Sequence, residues 1–124
     1  MQYYDTLTKF ERNGLTVIVD KTYEDISPRD LFEESDVDEI IRKIDRGIYD
    51  WFMLRVRVMF EDLELASEYL GGCCYENAKE VLTDGVADDL IFEAMDHAQK
   101  RVADLANKFT LKTWEMAMVD KELA

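Results

Sequence analysis

Residues 51–60 alternate between two compositions along the chain. One set is large and apolar throughout: Phe52, Leu54, Val56, Val58 and Phe60. The intervening set is mixed: Trp51, Met53, Arg55, Arg57 and Met59. Period-two alternation rich in aromatic and β-branched residues predicts a strand with one face on a core.

The dipeptide Glu61-Asp62 interrupts this pattern, and residues 63–70 resume it, which predicts a β-hairpin. A two-residue loop would give four directly opposed pairs: Phe60–Leu63, Val58–Leu65, Val56–Ser67 and Leu54–Tyr69. The same register places Arg55 opposite Glu68 and Arg57 diagonal to Glu64 and Glu68, and each such pair would contribute roughly 0.2–1 kcal/mol. A longer loop stays open, since Glu-Asp is not a favoured two-residue turn.

The glycine pair Gly71-Gly72 is expected to end this hairpin at a sharp corner, with a helix over residues 75–82 following it. Before the hairpin, Asn13-Gly14 predicts a tight turn between strands at residues 3–11 and 15–21, because both residues tolerate positive φ. Ser27 followed by Pro28 predicts the start of a short helix.

A second helix is expected to begin at Asp36, with Glu39 in capping-box spacing, and to stop at Gly47. From Val86 onward the chain reads as one long helix. Its apolar stripe recurs at spacings of four and three: Ile91, Met95, Ala98, Val102, Leu105 and Phe109, resuming at Met116, Val119 and Leu123. Such a stripe is either the face packed on the sheet or a seam for self-association.

These elements predict a single α+β domain over residues 1–124. Its antiparallel sheet of about four strands, made from two hairpins, packs against helices, with the long C-terminal helix foremost. A hydrophobic content of 48% in 124 residues is sufficient for a core.

The net charge is −13, from 28 acidic and 15 basic side chains. A field of this sign repels nucleic acid and anionic membranes and attracts basic protein surfaces. We therefore expect no direct binding to nucleic acid or to a membrane. The N-terminus lacks the features of a signal peptide, and we expect a cytoplasmic location.

Candidate chemistry is sparse. His97 is the only histidine, and it is interpreted as a surface residue of the long helix. The vicinal Cys73-Cys74 pair could be reactive if it preceded a helix N-terminus, but structural thiols are the simpler interpretation. Since no zinc, calcium or phosphate-loop spacing occurs, we expect no catalytic residue, no cofactor and no metal.

Acidic residues are concentrated in two places. Residues 24–39 carry eight carboxylates against one arginine: Glu24, Asp25, Asp30, Glu33, Glu34, Asp36, Asp38 and Glu39. The start of the long helix carries a second set, from which we select Asp88, Asp89 and Glu93. Either set could be an ordinary solvated face. Alternatively, carboxylates about 5–6 Å apart on a helix could occupy a cationic groove made for DNA or RNA, with Tyr23, Phe32 and Tyr49 as anchors.

The block WFMLRVRV, followed by YLGGC, resembles small acidic proteins encoded by bacteriophages and other mobile elements. This resemblance covers about a quarter of the chain and carries no catalytic motif. It implies a viral context, in which small acidic proteins often inhibit host defence as anti-restriction or anti-CRISPR proteins, some of them by imitating DNA.

The sequence therefore predicts a non-enzymatic, phage-encoded inhibitor of a host nucleic-acid-binding complex. Its partner would be the basic surface of a host protein or ribonucleoprotein. The alternative is a homo-oligomeric structural or accessory protein that associates, as a homodimer for instance, through the C-terminal helix.

Overall fold

The computed structural model describes the backbone of residues 3–123, and the side chains in that range except those of residues 34, 35, 111, 113, 114 and 116–123. Its main elements are β1 (Tyr4–Arg12), β2 (Leu15–Tyr23), α1 (Glu34–Asp45), β3 (Asp50–Phe60), β4 (Leu63–Tyr75) and α2 (Val86–Leu123). Short 3-10 helices span Pro28–Asp30 and Ala78–Leu82. The four strands form one antiparallel sheet in sequence order. The predicted α+β class with a long C-terminal helix is confirmed.

Both hairpins close through two-residue turns. Asn13 and Gly14 adopt φ values of 54° and 78°, as the sequence predicts for a type I′-like turn. Phe60 pairs with Leu63 across Glu61-Asp62, and Glu61 has a φ of 52°. The tight second turn therefore forms although its sequence is not a preferred one.

The predicted register of the second hairpin is wrong beyond its first pair. A β-bulge at Leu65 shifts the pairing by one residue, so that Val58 faces Ala66 and Arg55 faces Tyr69. The bulge allows Leu65 to enter the core, where it is 6% exposed. As a result, Glu68 lies opposite Val56, on the face that packs against α2, and away from the arginines.

Gly71-Gly72 does not end the second hairpin. β4 continues to Tyr75, and the glycine pair forms a second bulge opposite Met53. Gly72 has a φ of +71°, the left-handed region that favours glycine. The expected corner is therefore a bulge within a strand. The helical segment that follows is only the 3-10 helix Ala78–Leu82, since Tyr75 belongs to the sheet.

The core lies between one face of the sheet and the first part of α2. Its members from the sheet and its turns include Val17, Val19, Phe52, Leu54, Val56, Val58, Leu65 and Cys73, and α2 contributes Ala87, Leu90, Ile91, Ala94, Met95 and Ala98. The alternation predicted for β3 is confirmed, since Phe52, Leu54, Val56 and Val58 are at most 2% exposed. Phe60, at the hairpin turn, is 50% exposed.

The apolar stripe of α2 divides into two parts. Ile91, Met95 and Ala98 are buried against the sheet, Leu105 is half-buried, and Val102 and Phe109 are 42% and 66% exposed. A helix of 38 residues is about 57 Å long, whereas the 11 residues of β3 span roughly 36 Å. The helix therefore extends beyond the end of the sheet. The predicted stripe residues Met116, Val119 and Leu123 have side chains outside the described residues.

The chain between β2 and β3 packs on the sheet face opposite α2. The Trp51 indole N–H donates to the Ile26 carbonyl at 3.0 Å, and the Phe32 ring lies 5.8 Å from the Trp51 ring. Ser27 caps the first 3-10 helix as predicted, accepting from the Arg29 amide at 3.3 Å.

Helix α1 starts earlier than predicted. It begins at Glu34 rather than at Asp36, because the Asp36 amide already bonds to the Glu33 carbonyl at 3.3 Å. Its predicted stop is confirmed: the helix ends at Asp45, and Gly47, with a φ of +74°, donates to the Ile44 carbonyl.

Candidate functional site

The stretch from residue 24 to residue 39, called here the acidic segment, presents most of its predicted carboxylates to solvent. The exposed members are Asp25, Asp30, Glu33, Asp36, Asp38 and Glu39. The side chain of Glu34 lies outside the described residues. Two of the exposed acids are in ion pairs: Asp38 with Arg29 at 2.7 Å, and Glu39 with Lys43 at 3.6 Å. Asp25, Asp30, Glu33 and Asp36 form none with the rest of the described chain.

Glu24 is not part of the exposed surface, and its assignment as a partner-binding residue is wrong. It is 5% exposed, and its carboxylate accepts the Ile26 amide at 3.1 Å and the Gly72 amide at 2.8 Å. A Cβ at Gly71 would lie 2.6 Å from Glu24 Oε2. The bulge in β4 thus makes room for this carboxylate, which fastens the start of the acidic segment to the sheet.

Exposed apolar side chains are interspersed with these acids. Tyr23 is 73% exposed, Ile26 45% and Leu31 51%. The other two predicted anchors belong to the fold instead. Phe32 is half-buried against Trp51, and the Tyr49 hydroxyl accepts from Lys43 at 3.5 Å. The hydroxyl of Tyr49 is also the main reason that the pKa of Lys43 is raised.

The second acidic set lies on α2 and does not join the first. Asp88, Asp89 and Glu93 are exposed, with the 75% exposed Phe92 among them. Because α2 and the acidic segment pack on opposite faces of the sheet, the two sets form separate surfaces. Just before this set, Asp84 caps α2 by accepting the Val86 amide at 3.0 Å.

Arg55 and Arg57 share one carboxylate, from a residue that the sequence interpretation did not single out. Asp20, 1% exposed, accepts from Arg55 Nε at 2.8 Å and from Arg55 Nη2 at 2.6 Å. Arg57 Nη2 lies 3.5 Å from the same carboxylate, and the Tyr4 ring covers the Arg55 guanidinium at 3.4 Å. The predicted partners Glu64 and Glu68 are replaced by Asp20. Asp20 also holds the pKa of Arg55 above its usual value through a hydrogen bond.

The two thiols lie inside β4. Burial raises the pKa of the Cys73 thiol to about 11 and also raises the pKa of the Cys74 thiol. Neither lies at a helix N-terminus, so no helix dipole lowers the pKa of either thiol. His97 lies on the exposed side of α2, as interpreted, and its Nδ1 contacts the Glu68 carboxylate.

A groove of about 670 Å³ opens at the end of the sheet where β1 and β3 begin and β2 ends. Its lining includes three carboxylates and several aromatic rings: Asp5, Asp25, Asp50, Tyr3, Tyr23 and Trp51. Lys21, also in this lining, pairs with Asp50. We call this cleft the end groove. It adjoins the acidic segment, since Asp25 belongs to both.

Comparison with protein-family models, with curated proteins and with solved structures found no match to this chain. Within the described ranges, no cluster of three or more His, Cys, Asp or Glu side chains is arranged to hold a metal ion. None of the helices described here combines the length and apolar content that a membrane crossing requires.

Proposed function

We propose that this protein is a non-enzymatic binding protein that occupies a basic surface of a protein or ribonucleoprotein complex. The surface it covers would otherwise bind nucleic acid, and the effect is inhibition, as in anti-CRISPR or anti-restriction proteins. The active surface is the exposed part of the acidic segment. The resemblance to phage-encoded acidic proteins supports a host defence complex as the target.

The observation that carries the proposal is the mixture of unpaired acids and exposed apolar side chains on the acidic segment and on Tyr23, which closely precedes it. A face that serves only solubility has no need for Tyr23, Ile26 and Leu31 beside its carboxylates. Protein interfaces combine such apolar anchors with charges that attract the partner over long range. Carboxylates without a cation of their own keep that attraction available.

The fixed backbone of the segment also supports this function. Glu24 ties its start to β4, Trp51 holds the Ile26 carbonyl, and Ser27 caps the following turn. A pre-ordered segment loses less conformational entropy on binding than a free loop. The raised pKa values of the two thiols are consistent with a protein that acts by covering a partner surface rather than by thiol chemistry.

The test is displacement of labelled DNA from purified restriction and CRISPR effector complexes. A variant with Asp25→Asn, Asp30→Asn and Glu33→Gln should lose displacement. The matched control is Asp88→Asn, Asp89→Asn and Glu93→Gln, which removes the same three charges from α2 and should keep displacement. Rising salt should weaken the effect.

If the two triple variants lose displacement equally, net charge rather than the acidic segment is responsible. If the wild-type protein displaces DNA from none of the complexes, inhibition by occupancy is rejected. Far-UV circular dichroism shows whether both variants remain folded. This control is needed because removing Asp88 and Asp89 from the first turn of α2 destabilises that helix by about 0.3–1 kcal/mol each.

A second candidate function, self-association through α2, is favoured by the overhang of this helix. Beyond the sheet its stripe still presents Val102 and Phe109 to solvent. Lys100 and Lys108 on this part of the helix already pair with Asp96 and Asp104 at 2.9 and 3.0 Å. The attraction for a second copy therefore comes from its matching apolar stripe.

Sedimentation equilibrium at several concentrations tests this candidate. The wild-type mass should rise toward a dimer, and Phe109→Glu should abolish the rise. Phe92→Glu makes the same change at an exposed position off the stripe of the same helix, and this variant should still dimerise. A wild-type protein that stays monomeric at all concentrations refutes the idea.

A further inference from the structure

The end groove contains one cation, Lys21, which is already held between a carboxylate and an aromatic ring. Lys21 pairs with Asp50, and its ammonium lies 5.8 Å from the centre of the Phe52 ring. The groove therefore already places a cation between a carboxylate and an aromatic face. Asp25 and Tyr23, in the same lining, supply the same two kinds of group, and Asp25 has no ion pair with another described residue.

Two carboxylates of the groove, Asp5 and Asp25, make no ion pair with another described residue, although Asp5 lies opposite Lys21 in the β1–β2 register. The groove as a whole has three carboxylates, with Asp50 the third, against the single ammonium of Lys21. Its net charge is therefore 1 − 3 = −2. A cation entering the groove meets an attractive field without displacing an internal ion pair.

Two tyrosines of the groove present accessible rings. Tyr3 and Tyr23 are 78% and 73% exposed, although each carries a large apolar ring, whereas Trp51 is half-buried and Phe52 is buried. Trp51 lines the groove with its indole N–H already bonded to the Ile26 carbonyl at 3.0 Å. Its ring orientation is thereby fixed. Accessible rings beside carboxylates favour a cation that can use both a flat face and a charge-assisted hydrogen bond.

We infer that the end groove receives an arginine side chain of the basic partner. Guanidinium is planar, stacks on Tyr and Trp rings, and donates paired hydrogen bonds to a carboxylate, whereas ammonium offers only a compact charge. Asp25 would be the main carboxylate and Tyr23 the main stacking ring. This inference deepens the proposed function and rests on it for the nature of the partner.

The groove continues beyond Trp51 into a second cleft of about 630 Å³, which shares Tyr23, Asp50 and Trp51 with it. Asp45 and Glu76 in that cleft extend the negative charge. The arginine is therefore expected to arrive on a protein surface with further basic residues, rather than as a free small molecule.

The test uses short blocked peptides on the protein itself. The chain has two tryptophans, so Trp114→Phe leaves the Trp51 indole N–H as a single resolved NMR signal. Acetyl-Gly-Arg-Gly-amide should shift this signal with saturation below about 50 mM. The same peptide with citrulline, which keeps the shape and removes the charge, should not. The lysine peptide should bind more weakly.

Groove variants carry matched controls. Asp25→Asn and Tyr23→Ala should each weaken the arginine peptide roughly two- to fivefold. Asp30→Asn, an exposed acid of the same segment outside the groove, and Tyr69→Ala, a 51% exposed tyrosine elsewhere, should leave the affinity unchanged. Folding of all four is checked by the dispersion of the same NMR spectra.

Three results would overturn the inference: no shift with the arginine peptide, an equal shift with citrulline, or equal binding of lysine and arginine peptides. None of these three results bears on DNA displacement by the acidic segment, which is measured separately. Conversely, peptide binding without DNA displacement would support the groove as an arginine-binding site and would reject the proposed inhibition.

Discussion

Replacing Asp20 by Asn should destabilise the fold more than any surface substitution. Its carboxylate is buried in the middle of β2 and binds Arg55 through two hydrogen bonds of 2.8 and 2.6 Å. The amide of Asn has nearly the same shape, but it carries no charge and turns one acceptor into a donor. Arg55, whose side chain is 12% exposed, would keep its charge and lose its counter-ion.

Breaking a buried ion pair on one side typically destabilises a protein by 3–5 kcal/mol. We expect about 3 kcal/mol here, at the low end, because the Tyr4 ring continues to cover the guanidinium and the edge of the site reaches solvent. With a urea m-value of about 1–3 kcal/mol/M, the midpoint of unfolding should fall by roughly 1–3 M. Circular dichroism during urea titration measures it.

Two further variants test this explanation. Asp20→Asn combined with Arg55→Met removes the unpaired guanidinium and retains an apolar side chain of similar length, so the double variant should be more stable than Asp20→Asn alone. Asp62→Asn, on the exposed turn of the second hairpin, should change the free energy of unfolding by less than about 0.5 kcal/mol. Two results would refute a buried ion pair as the organising contact of this face. One is that Asp20→Asn lowers the free energy of unfolding by less than about 1 kcal/mol; the other is that the double variant is no more stable than Asp20→Asn alone.

Three other outcomes follow from the contacts in and beside β4. Cys73, with a pKa of about 11, should be alkylated at pH 8 about 100-fold more slowly than an ordinary thiol, and at the ordinary rate once unfolded, as followed by mass spectrometry. Gly72→Ala should lower the free energy of unfolding by about 1–2 kcal/mol. The loss should exceed that of Gly14→Ala, because a Cβ at Gly72 would meet the Leu31 side chain at 2.6 Å, whereas a Cβ at Gly14 meets nothing within 4 Å. The Tyr75 hydroxyl bond lowers the pKa of Asp84, so its contribution should be present above the ordinary pKa of Asp and be lost as pH falls through the lowered one. Melting temperatures of Tyr75→Phe should accordingly depend less on pH in acid than those of the wild type.

The hairpins could be predicted because their signals are local. Alternation in β3 and the turn Asn13-Gly14 involve neighbouring residues, and both hairpins formed where these signals lie. The register of the second hairpin could not be extrapolated, since one bulge at Leu65 shifts every later pair. The partner of Arg55 could not be found within this hairpin, because Asp20 belongs to β2 and is 35 residues away. A single acid within an apolar strand is the sequence signal that points to it.

In the acidic segment, too, local sequence does not predict the environment of a single residue. Glu24 and Asp25 are adjacent acids that sequence composition treats alike, yet the first is buried and the second exposed. The difference depends on two glycines more than 45 residues along the chain: Gly71 leaves room for one carboxylate, and Gly72 donates its amide to it. Only the assembled sheet brings these positions together.

The glycine bulge therefore connects the scaffold to the proposed binding surface. Because Gly71 has no side chain, the Glu24 carboxylate reaches the backbone of β4, where it accepts the Gly72 amide and fixes the direction in which the chain leaves the sheet. Asp25 follows immediately and is directed into the end groove. A buried acid that is fully hydrogen-bonded thus orients an exposed acid that has no ion pair. An acidic protein can in this way present a few carboxylates at fixed positions, which a partner can distinguish from a diffuse negative charge.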